Sequence, residues 1–116
     1  MICHITVTTA KLQESVEFYR WLLGLPIARK ITLPDKEIVF LGAGQTKLEF
    51  IADNQAKMID TKDITIGFKV DNLDKKIALL KGKNISHSQI IYVPNARFVY
   101  FTDLNGCNIQ LFEGAA

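Results

Sequence analysis

The chain has 116 residues, of which 48% are hydrophobic and 22% charged, with a net charge of +2. That length and apolar content suit one compact core, and the near-neutral balance points to no polyanionic partner. No run approaches the ~18 uninterrupted apolar residues of a membrane span, no charged stretch leads into an apolar one as in a signal peptide, and Cys3 and Cys107 are too few for a disulfide scaffold.

Residues 2–8 alternate and are rich in β-branched side chains, which predicts a strand. Thr9 is placed to cap the helix that follows, whose apolar stripe is Leu12, Val16, Tyr19 and Leu23. Gly24 ends it and Pro26 keeps it ended. Strands follow over 27–33, 37–41 and 46–52, with turns at Pro34-Asp35 and Gly42-Ala43-Gly44. The glycine turn leads into a strand where a phosphate loop would need a helix, so it is a hairpin turn. The polar stretch 53–63 is a linker. Beyond it come a strand over 64–70 and a helix opened by Asp71 and Asp74, carrying Leu73, Ile77 and Leu80 and closed by Gly82. Strands over 85–93, 97–102 and 107–112 complete the order, with Asn105-Gly106 as the last turn. Cys3 and Cys107 fall in strands and read as buried, reduced thiols of a cytoplasmic protein. Lys75, Lys76, Lys81 and Lys83 form a solvated helix face without the interleaved aromatics of a nucleic-acid surface. Phe18 and Trp21 lie off the main stripe and serve either extra core contact or a dimer interface.

The second half repeats the first. Ile5 and Val7 recur as Ile66 and Phe68, 61 residues on, and Leu12, Val16 and Tyr19 recur as Leu73, Ile77 and Leu80. At the same offset Val39 and Phe40 fall on Tyr100 and Phe101, and Leu48 and Phe50 on Ile109 and Leu111. The pattern keeps its period and phase, so it predicts two related modules, 1–52 and 64–113, each strand, helix, then three strands. The fold class is α+β: two βαβββ modules with cupped mixed sheets. Modules of roughly 50 residues are marginal alone, so they should share an interface or dimerise.

Alternation along the strands then sorts the side chains by face. Cys3, Ile5 and Val7 should face the first helix, with Leu48 and Phe50, leaving Ile2, His4, Thr6, Lys47, Glu49 and Ile51 on the far face. In the second module Thr65, Gly67, Lys69, Asn108, Gln110 and Phe112 take the far face. His4 corresponds to Thr65 and Glu49 to Gln110, both at offset 61. Polar side chains at paired positions on the uncovered faces make a plausible pocket wall.

On these residues the chain resembles the vicinal oxygen chelate superfamily of glyoxalases, extradiol dioxygenases, fosfomycin-resistance enzymes and bleomycin-resistance proteins. The resemblance spans nearly the whole chain. It rests on the repeat, on Ser15-Val16-Glu17-Phe18-Tyr19 with Leu23-Gly24-Leu25, and on Phe98-Val99-Tyr100-Phe101 with Thr102-Asp103-Leu104-Asn105-Gly106. Leu104 stands where the family usually has proline. The resemblance implies metal ligands on the first and last strand of each module, at His4, Glu49, Thr65 and Gln110. A glyoxalase-like site would carry His or Gln, Glu, His and Glu there, so the chain matches at His4 and Glu49 and departs at Thr65 and Gln110. A threonine hydroxyl is a poor ligand for a divalent transition metal and an amide oxygen a weak one. The cofactor expectation is therefore none, or a weakly held Ni, Zn, Mn or Fe on His4, Glu49 and Gln110.

Two functions follow from the resemblance. One is a bleomycin-resistance-like protein that binds or sequesters a small molecule between its sheets without metal, with His4, Thr65, Gln110 and Arg97 as ligand contacts. The other is a glyoxalase-like lyase or isomerase that uses an altered metal site, or Glu49 alone as base, because Gln110 cannot accept a proton. His4 reads as a ligand, a proton shuttle, or a histidine satisfied by a neighbour. Glu49 reads as functional or as the partner of Lys47 or Lys69. Arg97 reads as an anion contact or a solvated strand end, and His87 has no role. The expected partners are a small-molecule ligand and a second copy in a cytoplasmic homodimer, with no nucleic acid and no membrane.

Overall fold

The computed structural model describes residues 1–115, which form two compact units, one over Met1–Lys57 and one from Met58 onward. The first contains β1 (His4–Thr9), α1 (Leu12–Leu23), β2 (Ile27–Thr32), β3 (Glu37–Leu41) and β4 (Lys47–Ala52). Its sheet runs β1-β4-β3-β2, with β1 parallel to β4 and the other pairs antiparallel. The second contains β5 (Thr65–Lys69), α2 (Leu73–Gly82), β6 (Ile91–Val93), β7 (Ala96–Thr102) and β8 (Asn108–Gly114). Its order, β5-β8-β7-β6, repeats the first, with β5 parallel to β8. The two βαβββ modules expected from the sequence are present. Among the described residues no helix is long and apolar enough to cross a membrane.

Each helix buries one face on its own sheet. In the first unit Val16, Tyr19 and Leu22 are buried, as are Val7, Val39, Leu41, Leu48 and Phe50, and the rings of Tyr19 and Phe50 lie 5.8 Å apart. The buried face is centred on Ser15, Tyr19 and Leu22, a row at helical spacing. Leu23, placed in the stripe from the sequence, is only half-buried. In the second unit Leu73, Ile77 and Leu80 are buried together with Val99, Phe101, Ile109 and Leu111.

The helix ends differ from expectation in detail. Lys11 occupies the N-cap of α1 without a side-chain cap, and Thr9 instead accepts the Lys11 N–H through Oγ1 at 2.8 Å. The α1 C-terminus stops as predicted: Gly24 has φ +64° and its N–H donates to the Arg20 carbonyl at 3.0 Å. Asn72, not Asp71 with Asp74, caps α2, its side chain accepting the Lys75 N–H at 3.1 Å.

Three strand expectations are corrected. The strand predicted over 85–93 shrinks to β6, with an isolated bridge between His87 and Phe101 ahead of it. The cause is local: Ser88 N–H donates to the Tyr100 carbonyl, but the Tyr100 N–H is taken by Ser88 Oγ, both at 2.9 Å. A side chain has replaced the backbone in the ladder. Neither cysteine lies in a strand. Cys3 precedes β1 and is exposed, whereas Cys107 is buried in the turn before β8. The repeat also slips by one residue. Val39 pairs with Phe50, and Val99, not Tyr100, pairs with Leu111. Phe40 pairs with Glu49 nine residues on, whereas Tyr100 pairs with Gln110 ten residues on, so the second hairpin holds one more residue between matched pairs and Tyr100 is the counterpart of Phe40.

Residues 53–64 contain no helix or strand, yet the second half of the stretch is tied into its unit. Ile59 N–H donates to the Asn105 carbonyl at 2.7 Å, and Asn108 N–H donates to Thr61 Oγ1 at 2.7 Å. Gly106, at φ +90°, sits where a Cβ would collide with the Ile59 carbonyl oxygen. Gly106→Ala should therefore lose about 2 kcal/mol or more in denaturant unfolding, while Gly44→Ala, with open space around it, should stay within about 0.5 kcal/mol of wild type. Equal effects at both positions would refute this account of the turn.

Candidate functional site

The far face of the first sheet carries a polar row. The β1–β4 register sets Thr6 opposite Glu49, and the β3–β4 register sets Phe40 beside Glu49. Glu49 is only 8% exposed although it is charged and mid-strand. A carboxylate so placed costs free energy unless it is hydrogen-bonded or charge-paired, and a hydroxyl and an imidazole stand against it. Thr6 Oγ1 donates to Glu49 Oε1, and His4 Nε2 lies 3.4 Å from the same oxygen. The His4 ring meets the Phe40 ring edge-on, with centroids 5.6 Å apart. Lys47 does not serve Glu49, because its ammonium donates to the Gly44 carbonyl.

The far face of the second sheet uses the same positions differently. Gly67 stands opposite Gln110, with Tyr100 beside it. Gln110 Oε1 lies 3.0 Å from the point a Cβ on residue 67 would occupy, so glycine gives the amide its room. Gln110 Nε2 lies 3.5 Å from the Tyr100 hydroxyl. The adjacent row is aromatic. Phe98 and Phe112 pair across β7 and β8 with centroids 5.7 Å apart and planes 11° from parallel, and Tyr100 meets Phe98 edge-on at 5.5 Å. Thr65 is exposed and faces Asn108, whose amide donates to the Thr61 carbonyl at 2.9 Å.

Residues 1–111 match the sequence profile of the Glyoxalase/Bleomycin resistance protein/Dioxygenase superfamily. The chain belongs to this superfamily. No curated protein matches its sequence at a significant level. Solved structures share the fold. Glyoxalase I from Leishmania major, described as trypanothione-dependent, is 23% identical with a TM-score of 0.81 over 97% of this chain and 86% of its own. A glyoxylase/bleomycin resistance protein/dioxygenase domain from Frankia sp. EAN1pec is 14% identical with a TM-score of 0.81 over 99% and 98%. TnmS3, an antibiotic-binding protein from Streptomyces sp. CB03234, is 13% identical with a TM-score of 0.74 over 99% and 96%.

Superfamily members often use divalent metals, so the donor set matters. In the first unit one imidazole and one carboxylate converge, and the carboxylate oxygen nearest the imidazole also accepts the Thr6 hydroxyl hydrogen bond. In the second unit Thr65 and Gln110 offer a hydroxyl and an amide. Among the described residues no group of three or more His, Cys, Asp or Glu side chains could hold a metal ion. Neither unit alone fits the three or four nitrogen, sulfur or carboxylate ligands that zinc and its neighbours take.

The sequence placed His4 and Glu49 on one face, and the structure brings them together. It does not bring Arg97 to that face. Arg97 shares the helix side of β7 with Val99 and Phe101, and its guanidinium is held by Glu113 at 3.0 Å and Asp74 at 3.0 Å. Arg97, expected as an anion contact or a solvated strand end, is thus paired with two carboxylates of its own unit. Thr6, Phe40, Phe98 and Tyr100 were not singled out from the sequence as site residues. Their signal was their phase, since Phe98 and Tyr100 alternate with the buried Val99 and Phe101.

The Arg97 cluster makes a pH prediction. Hydrogen bonds from Arg97 and from the Leu73 N–H hold the Glu113 carboxyl below the usual carboxylate range. A depressed folded-state value adds stability above the unfolded value of about 4.3, and this is lost as pH falls through the folded value. The stability gap between wild type and Glu113→Gln should be widest near neutrality and close below about pH 4 in urea melts. A gap independent of pH would contradict it.

Proposed function

We propose that this superfamily member binds a small organic molecule with a flat, conjugated part, without requiring a metal, and sequesters it as bleomycin-resistance-like proteins do. The observation that carries the reading is the Phe98–Phe112 stack beside Tyr100 and Gln110 on a sheet face no helix covers. A flat ligand on this face gains aromatic contact, and the Gln110 amide and Tyr100 hydroxyl supply donors and acceptors that orient it. The fold shared with an antibiotic-binding protein supports the same reading. The protein acts in this account as a cytoplasmic homodimer, in keeping with its unpaired cysteines.

Glu49 favours a second reading, a lyase or isomerase. A buried carboxylate between Leu48 and Phe50, with His4 placed to relay a proton, is the arrangement a general base needs. Thr65 would then contact the substrate rather than a metal.

Titration with the fluorescent aromatic probe 8-anilinonaphthalene-1-sulfonate, with chelator present, tests the first reading. A single site is expected, weakened about fivefold by Phe112→Ala, which corresponds to about 1 kcal/mol of lost stacking. An affinity unmoved by both Phe98→Ala and Phe112→Ala would overturn the proposal. Calorimetric titration with nickel, zinc, manganese and iron(II) should show nothing tighter than about millimolar. Stoichiometric binding lost on both His4→Ala and Glu49→Ala would replace the proposal with a metalloenzyme.

A further inference from the structure

Three side chains of the first unit form a linked series that ligand stacking in the second unit does not use. Cys3 Sγ lies 3.4 Å from His4 Nδ1, and His4 Nε2 lies 3.4 Å from Glu49 Oε1. Cys3 is exposed, the His4 side chain is 39% exposed, and Glu49 is buried. The first contact is a hydrogen bond and the second an ion-pair distance, and their polarity follows from chemistry. An ionised carboxylate only accepts, so the tautomer with the proton on Nε2 is the one that suits Glu49 across 3.4 Å, and it leaves the Nδ1 lone pair to accept from the thiol. Thr6 donates to the same carboxylate oxygen, and Phe40 holds the ring edge-on, so the imidazole is oriented from two sides. Nucleophile, base and orienting carboxylate thus stand in the order that activates a side-chain nucleophile.

We propose that Cys3 is a nucleophile that captures α,β-unsaturated carbonyl compounds by conjugate addition, with His4 as its base and Glu49 positioning His4. The Cys3 sulfur forms a bond to the β-carbon while the carbon–carbon π pair shifts to give an enolate. The thiol proton passes to His4 Nδ1 and then to the α-carbon as the carbonyl re-forms. The product is a thioether, and the addition balances without oxidant, reductant or leaving group. The transient imidazolium presents its Nε2–H to Glu49, so the charge that develops meets a carboxylate already in place. Cys107 supplies an internal contrast. It is 3% exposed, and burial, reinforced by Asp103, pushes its thiol up to about 11, which suits a structural and inert cysteine.

Acrylamide, a slow conjugate acceptor, is the probe, used with the full chain, chelator and glutathione as the reference thiol. Peptide mapping should find label on Cys3 at a rate at least about tenfold above glutathione near pH 7. Cys3→Ser should abolish that labelling, and His4→Ala should lower the rate to the glutathione level, with partial rescue by added imidazole. Glu49→Gln should lower the rate severalfold and shift the His4 ring nitrogens in ¹⁵N NMR away from the Nε2–H tautomer. A wild-type rate equal to that of glutathione, fast label on Cys107, or a fast rate indifferent to His4→Ala would overturn the proposal. Should His4→Ala fail to fold, the comparison of wild type with glutathione and Cys3→Ser still decides. These outcomes are separate from the dye titration, which reads Phe98 and Phe112.

Discussion

Along β4, Leu48 and Phe50 are buried on the α1 side of the sheet, and Glu49 between them is obliged to point the other way. That constraint, a period of two with one face sealed, fixes the rest of each unit. A slip of one residue would drive Glu49 into the core and both apolar neighbours out of it, so the register admits no alternative. The far face is then free to carry polar and aromatic side chains, because the fold's stability is drawn from the other side. Glu49 is the costly member of that face, and Thr6 and His4 offset its burial.

The two units hold one backbone plan and have filled it with different chemistry. Thr6, Glu49 and Phe40 occupy the places taken by Gly67, Gln110 and Tyr100. The first set places a charge among hydrogen-bonding partners and suits proton movement. The second places a neutral amide against a tyrosine and opens beside two stacked phenylalanines, which suits recognition. A carboxylate and an amide of similar shape at matched positions give one chain two surfaces of distinct character. Membership of the superfamily is common to many activities, and the side chains on these faces are where they diverge.

Most of this plan could be read in the sequence because apolar period is a strong signal. The sealed faces, through Leu12, Val16, Tyr19 and their counterparts Leu73, Ile77 and Leu80, set both modules, and alternation placed His4 and Glu49 together. What escaped depends on single atoms. Ser88 interrupted a predicted strand with one hydroxyl, which no periodicity registers. Offset counting paired Phe40 with Phe101, and one additional residue between the matched pairs of the second hairpin moved the true partner to Tyr100. Arg97 looked available because Asp74 and Glu113 are distant in sequence, and only folding brings three charges into one cluster. The contact between Cys3 and His4 was hidden by the assumption that a cysteine near a strand is buried.

The shortness of β6 has a bearing on how the protein avoids its own kind. An outer strand with free N–H and C=O groups is a template for fibril growth. Here that outer strand is three residues long and runs directly into Pro94, and the Tyr100 amide beyond it is spent on the Ser88 hydroxyl. The first sheet protects its matching border by another route, with Arg29 and Lys30 on β2 and an irregular register between Ile27 and Arg29. Both modules therefore end their sheets in borders that an incoming chain cannot extend cleanly. A chain that repeats one architecture twice carries twice the exposed border, and each unit interrupts the backbone ladder at one of its outer strands in its own way.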